Sequence, residues 1–220
     1  MTEGLERRLA DGARGVPALD IERLRAELAR RAADDGLLDV AHGTYDSPLG
    51  PLTLIVTPRG LVRLSYPGEG IDAQLQVLAD RVSPRILEAP ERTDPVRREL
   101  DEYFEGARRA FDVPIDWRLV SGFAGGVLRA TARIPFGSVS SYREVAADAG
   151  SPNAYRAAGN ALGSNPIPIV VPCHRVLHAG GGLGGYTGGL DRKRFLLRLE
   201  GALESEPEAV AEPRGRSRRQ

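Results

Sequence analysis

The only cysteine of this 220-residue chain sits in Pro172-Cys173-His174-Arg175-Val176, directly after the apolar run Ile167-Pro168-Ile169-Val170-Val171. An apolar run that ends in Pro-Cys-His predicts a buried strand delivering a thiol to the floor of a pocket, because a regular element fixes its last residue more tightly than a loop does. The same pattern also fits an inert structural cysteine, since free cysteine is among the most often buried residue types. The rest of the chain has to decide between them.

With 41% hydrophobic residues the chain is long enough for one large domain or two small ones, each with its own core. No run approaches the roughly 18 consecutive apolar residues of a membrane helix. Residues 1–10 are charged where a signal peptide would be apolar, so a cytoplasmic protein without membrane association is expected. One cysteine cannot close an internal disulfide. Together with only three histidines, His42, His174 and His178, it argues against a structural zinc site, and no metal or cofactor is expected.

The formal net charge is zero, but it is unevenly spread. Residues 1–120 carry 17 basic and 22 acidic side chains, whereas residues 121–200 carry 9 basic and 4 acidic. Attraction to a phosphate backbone depends on local charge, which makes the segment around the cysteine the candidate polyanion-binding part. Imbalances of this size are also common in chains of this length.

Residues 1–40 are charged and alanine-rich, with Ile21, Leu24 and Leu28 spaced as one helix face and Asp20 placed to cap it. This extension is expected to be a helix packing on the rest, or a mobile addition. Residues 52–57 and 61–66 are β-rich runs around Pro58-Arg59-Gly60 and predict a hairpin. Helical spacing follows at 71–82 and at 94–105, the latter through Val96, Leu100 and Phe104. Residues 111–117 are a candidate further strand. These elements describe a small α/β domain over 41–118.

After residue 121 the character is helical. A helix is expected over 123–132, ended by Ile134-Pro135-Phe136-Gly137. Ser141 followed by Glu144 is a capping-box pattern that starts a helix over 142–149, closed by Gly150. Pro152-Asn153 opens another over 154–162. Two short helices joined by a tight turn predict a helix-turn-helix, with the second as recognition helix. That helix, Ala154-Tyr155-Arg156-Ala157-Ala158-Gly159-Asn160-Ala161, carries few bulky side chains. Dense packing inside the domain accounts for this, and so does a helix laid into a DNA groove with Arg156 reaching between bases.

Residues 180–189 are glycine-rich but lack the Gly-Lys-Ser or Gly-Lys-Thr of a triphosphate loop, so a flexible wall beside the thiol is the better expectation. Residues 190–201 are helical and carry Lys193 and Glu200. Residues 202–220 are charged and proline-containing, as in a disordered tail.

Tyr142-Arg143-Glu144-Val145-Ala146, Arg156-Ala157-Ala158-Gly159-Asn160-Ala161, Asn165-Pro166, Pro172-Cys173-His174-Arg175-Val176, Gly185-Tyr186-Thr187-Gly188-Gly189 and Leu196-Leu197-Arg198-Leu199-Glu200-Gly201 occur in this order. Together they resemble the methylated-DNA-protein-cysteine methyltransferases, also called 6-O-alkylguanine-DNA alkyltransferases. The similarity is strongest over 121–201, weaker over 43–118, and absent from residues 1–40 and the tail. It implies an α/β N-terminal ribonuclease-H-like domain without catalysis of its own, and a mostly α C-terminal winged helix-turn-helix domain over 119–201. That second domain would bind double-stranded DNA through the minor groove as a monomer. The implied reaction is DNA repair by irreversible, single-turnover transfer of the alkyl group of 6-O-alkylguanine, and less efficiently of 4-O-alkylthymine, to Cys173.

The chemistry agrees with that resemblance. Displacing guanine from a methyl carbon needs a soft nucleophile, and a free thiol with a pKa of about 8.5 is mostly protonated at neutral pH. The resemblance implies that His174 takes the proton through a water, that Glu200 orients the imidazole, and that Asn165 orders the turn under the site. It further implies that the Tyr142 hydroxyl supplies a proton or hydrogen bond to the leaving base. Tyr186, Thr187 and Gly188 would bind the substrate, with Lys193 in electrostatic support. Ala154, Tyr155, Ala157, Gly159 and Asn160 would contact DNA, and Arg156 would fill the space left by the flipped base. The chain departs from the family pattern at Phe123-Ala124 and Leu128, where Phe-Gln and a tryptophan are frequent, and it has no counterpart of the vertebrate-type zinc ligands.

Two rivals stay open at this point. A non-catalytic helix-turn-helix protein would bury Cys173 inertly and lose nothing in Cys173→Ser. A cysteine hydrolase would use Cys173 with His174 and turn over repeatedly, although adjacent strand residues point to opposite sides.

Overall fold

A computed structural model describes residues 20–203 and divides them into two compact units, residues up to Glu102 with Phe111–Ser121, and Tyr103–Ala110 with residues from Gly122 onward. The expectations for residues 1–19 and 204–220 lie outside the described residues. No helix among the described residues is long and apolar enough to cross a membrane.

The first unit begins with helix α1 (Ile21–Asp34), whose N-cap Asp20 accepts from the Arg23 amide at 3.0 Å as the sequence predicts. Its expected packing face is wrong. Ile21, Leu24 and Leu28 are all more than half exposed, and the helix buries Ala29 instead. Alanines let a helix approach a surface closely, and here closeness prevails over side-chain size.

Strands β1 (Val40–Ser47), β2 (Gly50–Thr57) and β3 (Gly60–Ser65) form an antiparallel meander, and β4 (Ile86–Glu88) pairs in parallel with β1, giving the order β3-β2-β1-β4. The Pro58-Arg59-Gly60 hairpin is present, with Thr57 facing Gly60. Helix α2 (Ile71–Arg81) sets Leu75 and Leu78 against Val40, Ile55 and Val62. Each such apolar side chain removed from water contributes about 1.5–3 kcal/mol before entropy is counted.

Helix α3 (Asp94–Phe104) follows, and its buried stripe runs Val96, Leu100, Tyr103 rather than ending on Phe104. The strand expected over 111–117 does not form. It makes a single bridge, Leu61 with Ile115, because Pro114 interrupts the ladder.

The second unit is mostly helical. Helix α4 (Gly122–Thr131) ends before the predicted Pro135 break. Strand β5 (Ser140–Ser141) leads into α5 (Tyr142–Asp148), where Ser141 and Glu144 form the complete capping box. A turn through Gly150, at φ +84°, joins it to α6 (Tyr155–Gly163). Strand β6 (Val176–Leu177) pairs in parallel with β5, and α7 (Leu190–Leu199) closes the unit. The β5–β6 pair ties the residue before Tyr142 to the chain just past Cys173. Helix α6 buries Ala158, Ala161 and Leu162, as dense packing predicts, while Tyr155, Arg156, Ala157 and Asn160 face outward.

Candidate active site

The segment before Cys173 is buried but is not a strand. Pro166, Pro168 and Pro172 remove three amide donors, so no sheet ladder can form. A different device holds it. The Asn165 carboxamide accepts from the Ile167 amide at 3.0 Å and donates to the Val171 carbonyl at 2.8 Å, pinning both ends of a compact loop. Inside that loop Ile169 adopts φ +73°, a left-handed conformation costly for a β-branched residue. Strain of that kind persists only where surroundings over-determine it.

The loop delivers Cys173 at the start of a 3₁₀ turn (Cys173–Arg175). Its Sγ accepts a third Asn165 hydrogen bond at 3.1 Å. Burial pushes the thiol up to about 11, while the Asn165 hydrogen bond and the charge of Lys193 pull it down. The thiol is therefore protonated at neutral pH and needs a base.

His174 is fully buried beside it. Its Nε2 donates to Glu200 Oε1 at 2.9 Å, which leaves Nδ1 as the basic nitrogen, and Nδ1 has no hydrogen-bond partner among the described residues. Burial lowers the imidazole below its ordinary value, partly offset by Glu200, so it is neutral and able to accept a proton. Burial would raise the Glu200 carboxyl, but hydrogen bonds from His174, Arg175 and Tyr103 more than offset it and hold it at about 2.

Arg175 forks onto that carboxylate, Nε to Oε2 and Nη2 to Oε1, both at 2.8 Å, and its Nη1 donates to the Ile134 carbonyl at 2.5 Å. Tyr103 adds its hydroxyl to Oε1 at 2.7 Å. Sequence reasoning assigns neither residue a role. Arg175 lies inside the Pro172–Val176 motif, and Tyr103 lies off the stripe Val96, Leu100, Phe104 that the spacing predicts.

Lys193 is fully buried, and its Nζ donates to the carbonyls of Val176 at 2.7 Å and Gly185 at 3.4 Å, and to that of Leu183. Burial lowers it to about 8. It thus fastens the glycine-rich segment to the chain leaving the cysteine, beyond the general electrostatic support expected of it.

Above Cys173 opens a cavity of about 780 Å³. Tyr142, Tyr186 and Thr187 line it, as do Tyr155, Arg156 and Gly159 from α6. Burial and the neighbouring Cys173 raise the Tyr142 phenol, so it keeps its proton, and its oxygen accepts from the Gly185 amide. Gly184, at φ +68°, lies so close that a Cβ there would overlap the Tyr142 hydroxyl. The Thr187 hydroxyl donates to the Gly163 carbonyl at 2.7 Å, tying the loop to the end of α6.

Gly188 stands outside the lining and accepts from Arg192 through its carbonyl, and Ala154, Ala157 and Asn160 also lie off the cavity on the outer side of α6. Arg143 and His178 line the cavity without having been singled out, His178 with its ring centroid 5.1 Å from that of Tyr142. A basic or imidazole side chain one helical residue from Tyr142, or five beyond Cys173, gives too weak a pattern to be noticed alone.

Comparison with known proteins agrees with this geometry. Residues 122–202 match the family model described as "6-O-methylguanine DNA methyltransferase, DNA binding domain", and residues 40–117 match its ribonuclease-like domain. A methylated-DNA-protein-cysteine methyltransferase of Mycobacterium tuberculosis is 40% identical over 165 residues, covering 73% of this chain and 92% of the relative. The crystal structure of an O6-methylguanine methyltransferase of the same organism superposes with a TM-score of 0.64 at 38% identity, over 76% of this chain and 96% of that one. A Mycobacterium tuberculosis relative solved in complex with DNA gives 0.63 at 39% identity, over 74% and 93%. With a buried thiol, an oriented imidazole and a helix-turn-helix in one unit, and with relatives matched over nearly their whole length, the chain belongs to the 6-O-methylguanine DNA methyltransferase family.

Proposed function

We propose that Cys173 is the methyl acceptor, His174 its base, Glu200 the group that orients that base, and Tyr142 the donor to the leaving guanine. The chain repairs 6-O-methylguanine in DNA by moving the methyl group to its own cysteine. The observation that carries the residue roles is a protonated thiol at the floor of an open cavity, beside a buried imidazole whose Nε2 is held by Glu200 and whose Nδ1 is unpartnered.

The thiol passes its proton through a water to Nδ1, and Glu200 stabilises the imidazolium that forms. The thiolate sulfur attacks the methyl carbon; a carbon–sulfur bond forms as the bond from that carbon to the guanine oxygen breaks. The electron pair released onto the base is met by the Tyr142 proton at the ring, so guanine leaves neutral, and the phenolate recovers a proton from the imidazolium side through solvent. The thioether has no leaving group, which makes the reaction stoichiometric. Tyr186 and Thr187 border the base, Gly188 continues their loop just outside the cavity, and Lys193 holds the segment that carries them.

DNA is the partner, approached through the minor groove by the outward face of α6. Ala154, Tyr155, Ala157, Gly159 and Asn160 face it, and Arg156 occupies the space of the flipped base. Extruding a weakened, alkylated pair costs less than extruding a normal one, which favours damaged sites. We further infer action as a monomer, a weaker reaction with 4-O-alkylthymine, and residence in the cytoplasm, where a single reactive thiol stays reduced. Mass spectrometry after mixing with a duplex containing one 6-O-methylguanine tests the roles. One methyl group on Cys173 per molecule and no more is expected; an unmodified cysteine beside intact substrate would sink the assignment.

A further inference from the structure

The Glu200 carboxylate is met by more donors than the orientation of one histidine requires. His174 Nε2, Arg175 Nη2 and the Tyr103 hydroxyl all point at Oε1, and Arg175 Nε takes Oε2. An ionised carboxylate offers about two acceptor sites on each oxygen, so three donors crowd Oε1 while Oε2 takes one. Arg175 is needed to balance the buried charge, and His174 is the group being oriented. Tyr103 does neither, yet its hydroxyl makes the shortest of the four bonds, at 2.7 Å.

Its ring is fixed independently of that bond. Tyr103 is fully buried, and its ring meets Phe104 edge-on at 5.4 Å and Phe136 at 6.1 Å between centroids. A phenylalanine at this position would keep those contacts. The hydroxyl therefore answers to the carboxylate, and the ring answers to the core.

We propose that Tyr103 is a positioning residue of the reaction: its hydroxyl fixes the Glu200 oxygen that His174 uses and draws off part of that oxygen's negative charge, so that the imidazole stays neutral until the thiol hands it a proton. The proposal rests on His174 being the base. The charged and titratable groups facing the pair are Cys173 and Arg175 from the 3₁₀ turn, Lys193 from α7, Tyr103 from the last turn of α3, and Tyr186, whose ring stands edge-on to His174 at 6.4 Å. Arg175 and Lys193 both oppose a charge on the imidazole, and Glu200 favours it. Removing the Tyr103 hydroxyl strengthens the one favourable partner.

Tyr103→Phe tests this in the full chain through two readouts. In the first, the ring nitrogens of His174 are followed by NMR against pH. The titration should move upward by about half to one pH unit, less than the roughly one to two units that a hydrogen bond to a charged group is worth, because the hydroxyl acts on the imidazole through Glu200. In the second, single-turnover methyl transfer from a 6-O-methylguanine duplex is measured across the same range. Its acid-side midpoint should rise by the same amount, with the rate well above that midpoint unchanged. Circular dichroism establishes that the variant is folded. A folded variant whose His174 titration stays where it is in the parent, or moves down, overturns the proposal, as does a rate lowered equally at every pH. If the NMR titration moves while the parent's rate shows no acid limb, Tyr103 acts as proposed and the assignment of His174 as base is the part that fails.

Discussion

The first unit holds a cavity of about 370 Å³ lined by Leu38, Val56, Leu61, Val96 and Val113, with Asp39 and Thr57 as polar members; the second holds the cavity of about 780 Å³ over Cys173. In the first, the Thr57 and Asp39 side chains are already paired. Thr57 donates to Asp116 at 2.7 Å, and Asp39 accepts from Ser83 at 2.6 Å and from Arg85 at 2.8 and 2.9 Å. In the second, a protonated thiol sits at the floor and a neutral imidazole nitrogen beside it has no partner. A hollow gains the means for chemistry when folding leaves a buried group unsatisfied beside it. Concavity alone supplies no chemistry.

Removing the unsatisfied group should have the largest effect. His174→Ala is expected to slow single-turnover methyl transfer by about 10²- to 10⁴-fold, the usual contribution of a positioned base. Asp116→Asn, which disturbs the paired groups of the first cavity, should leave that rate unchanged while lowering the unfolding midpoint. Rapid-quench assays on a 6-O-methylguanine duplex, alongside thermal melts, separate the two; equal loss of rate in both variants would erase the contrast.

A matched pair of glycines sharpens it at a smaller scale. Gly60 (φ +127°) and Gly184 (φ +68°) both occupy left-handed backbone with no room for a Cβ, the first against the Pro114 carbonyl, the second against the Tyr142 hydroxyl. Alanine at either should cost about 1–3 kcal/mol of stability. Only Gly184→Ala should also slow methyl transfer in the folded protein, because only it displaces the hydroxyl proposed to serve the leaving base. Urea unfolding with parallel rate measurements gives both quantities.

The smallest effect is one of pH. The His174 imidazole is held below 6.5 by burial, so the base stays neutral as pH falls past its ordinary value, and activity should persist below pH 6.5 before it declines. Glu200, held at about 2 against an ordinary 4.5, contributes stability that is complete above 4.5 and is lost as pH falls from there through 2. Single-turnover rates and acid unfolding followed by circular dichroism should therefore show the rate declining before the second unit unfolds. An activity that fails first at or above pH 6.5 would count against a neutral, buried base.

Much of this site is legible in the sequence because its signals are local. Pro172-Cys173-His174, the Ser141–Glu144 box, Gly150 and the small-residue helix each act within four or five residues, and all but the supposed strand formed as expected. The strand failed because apolar character predicts burial and says nothing of the amide donors that three prolines remove. The packing face of α1 failed for a related reason. Spacing identifies Ile21, Leu24 and Leu28 as a stripe, but which stripe is buried depends on the surface the helix meets, and that surface accepts Ala29.

Local pattern is enough to dictate that one thiol is presented with a histidine at its side, and that a helix-turn-helix precedes it. Packing alone dictates what surrounds the carboxylate behind that histidine: Arg175, 25 positions from Glu200, and Tyr103, 97 positions from it. Packing also directs the Lys193 donors onto one β6 carbonyl and two carbonyls of the glycine-rich loop. A buried ion must gather its hydrogen bonds from whatever the fold brings within about 3 Å, and that neighbourhood is set by packing rather than by nearness along the chain.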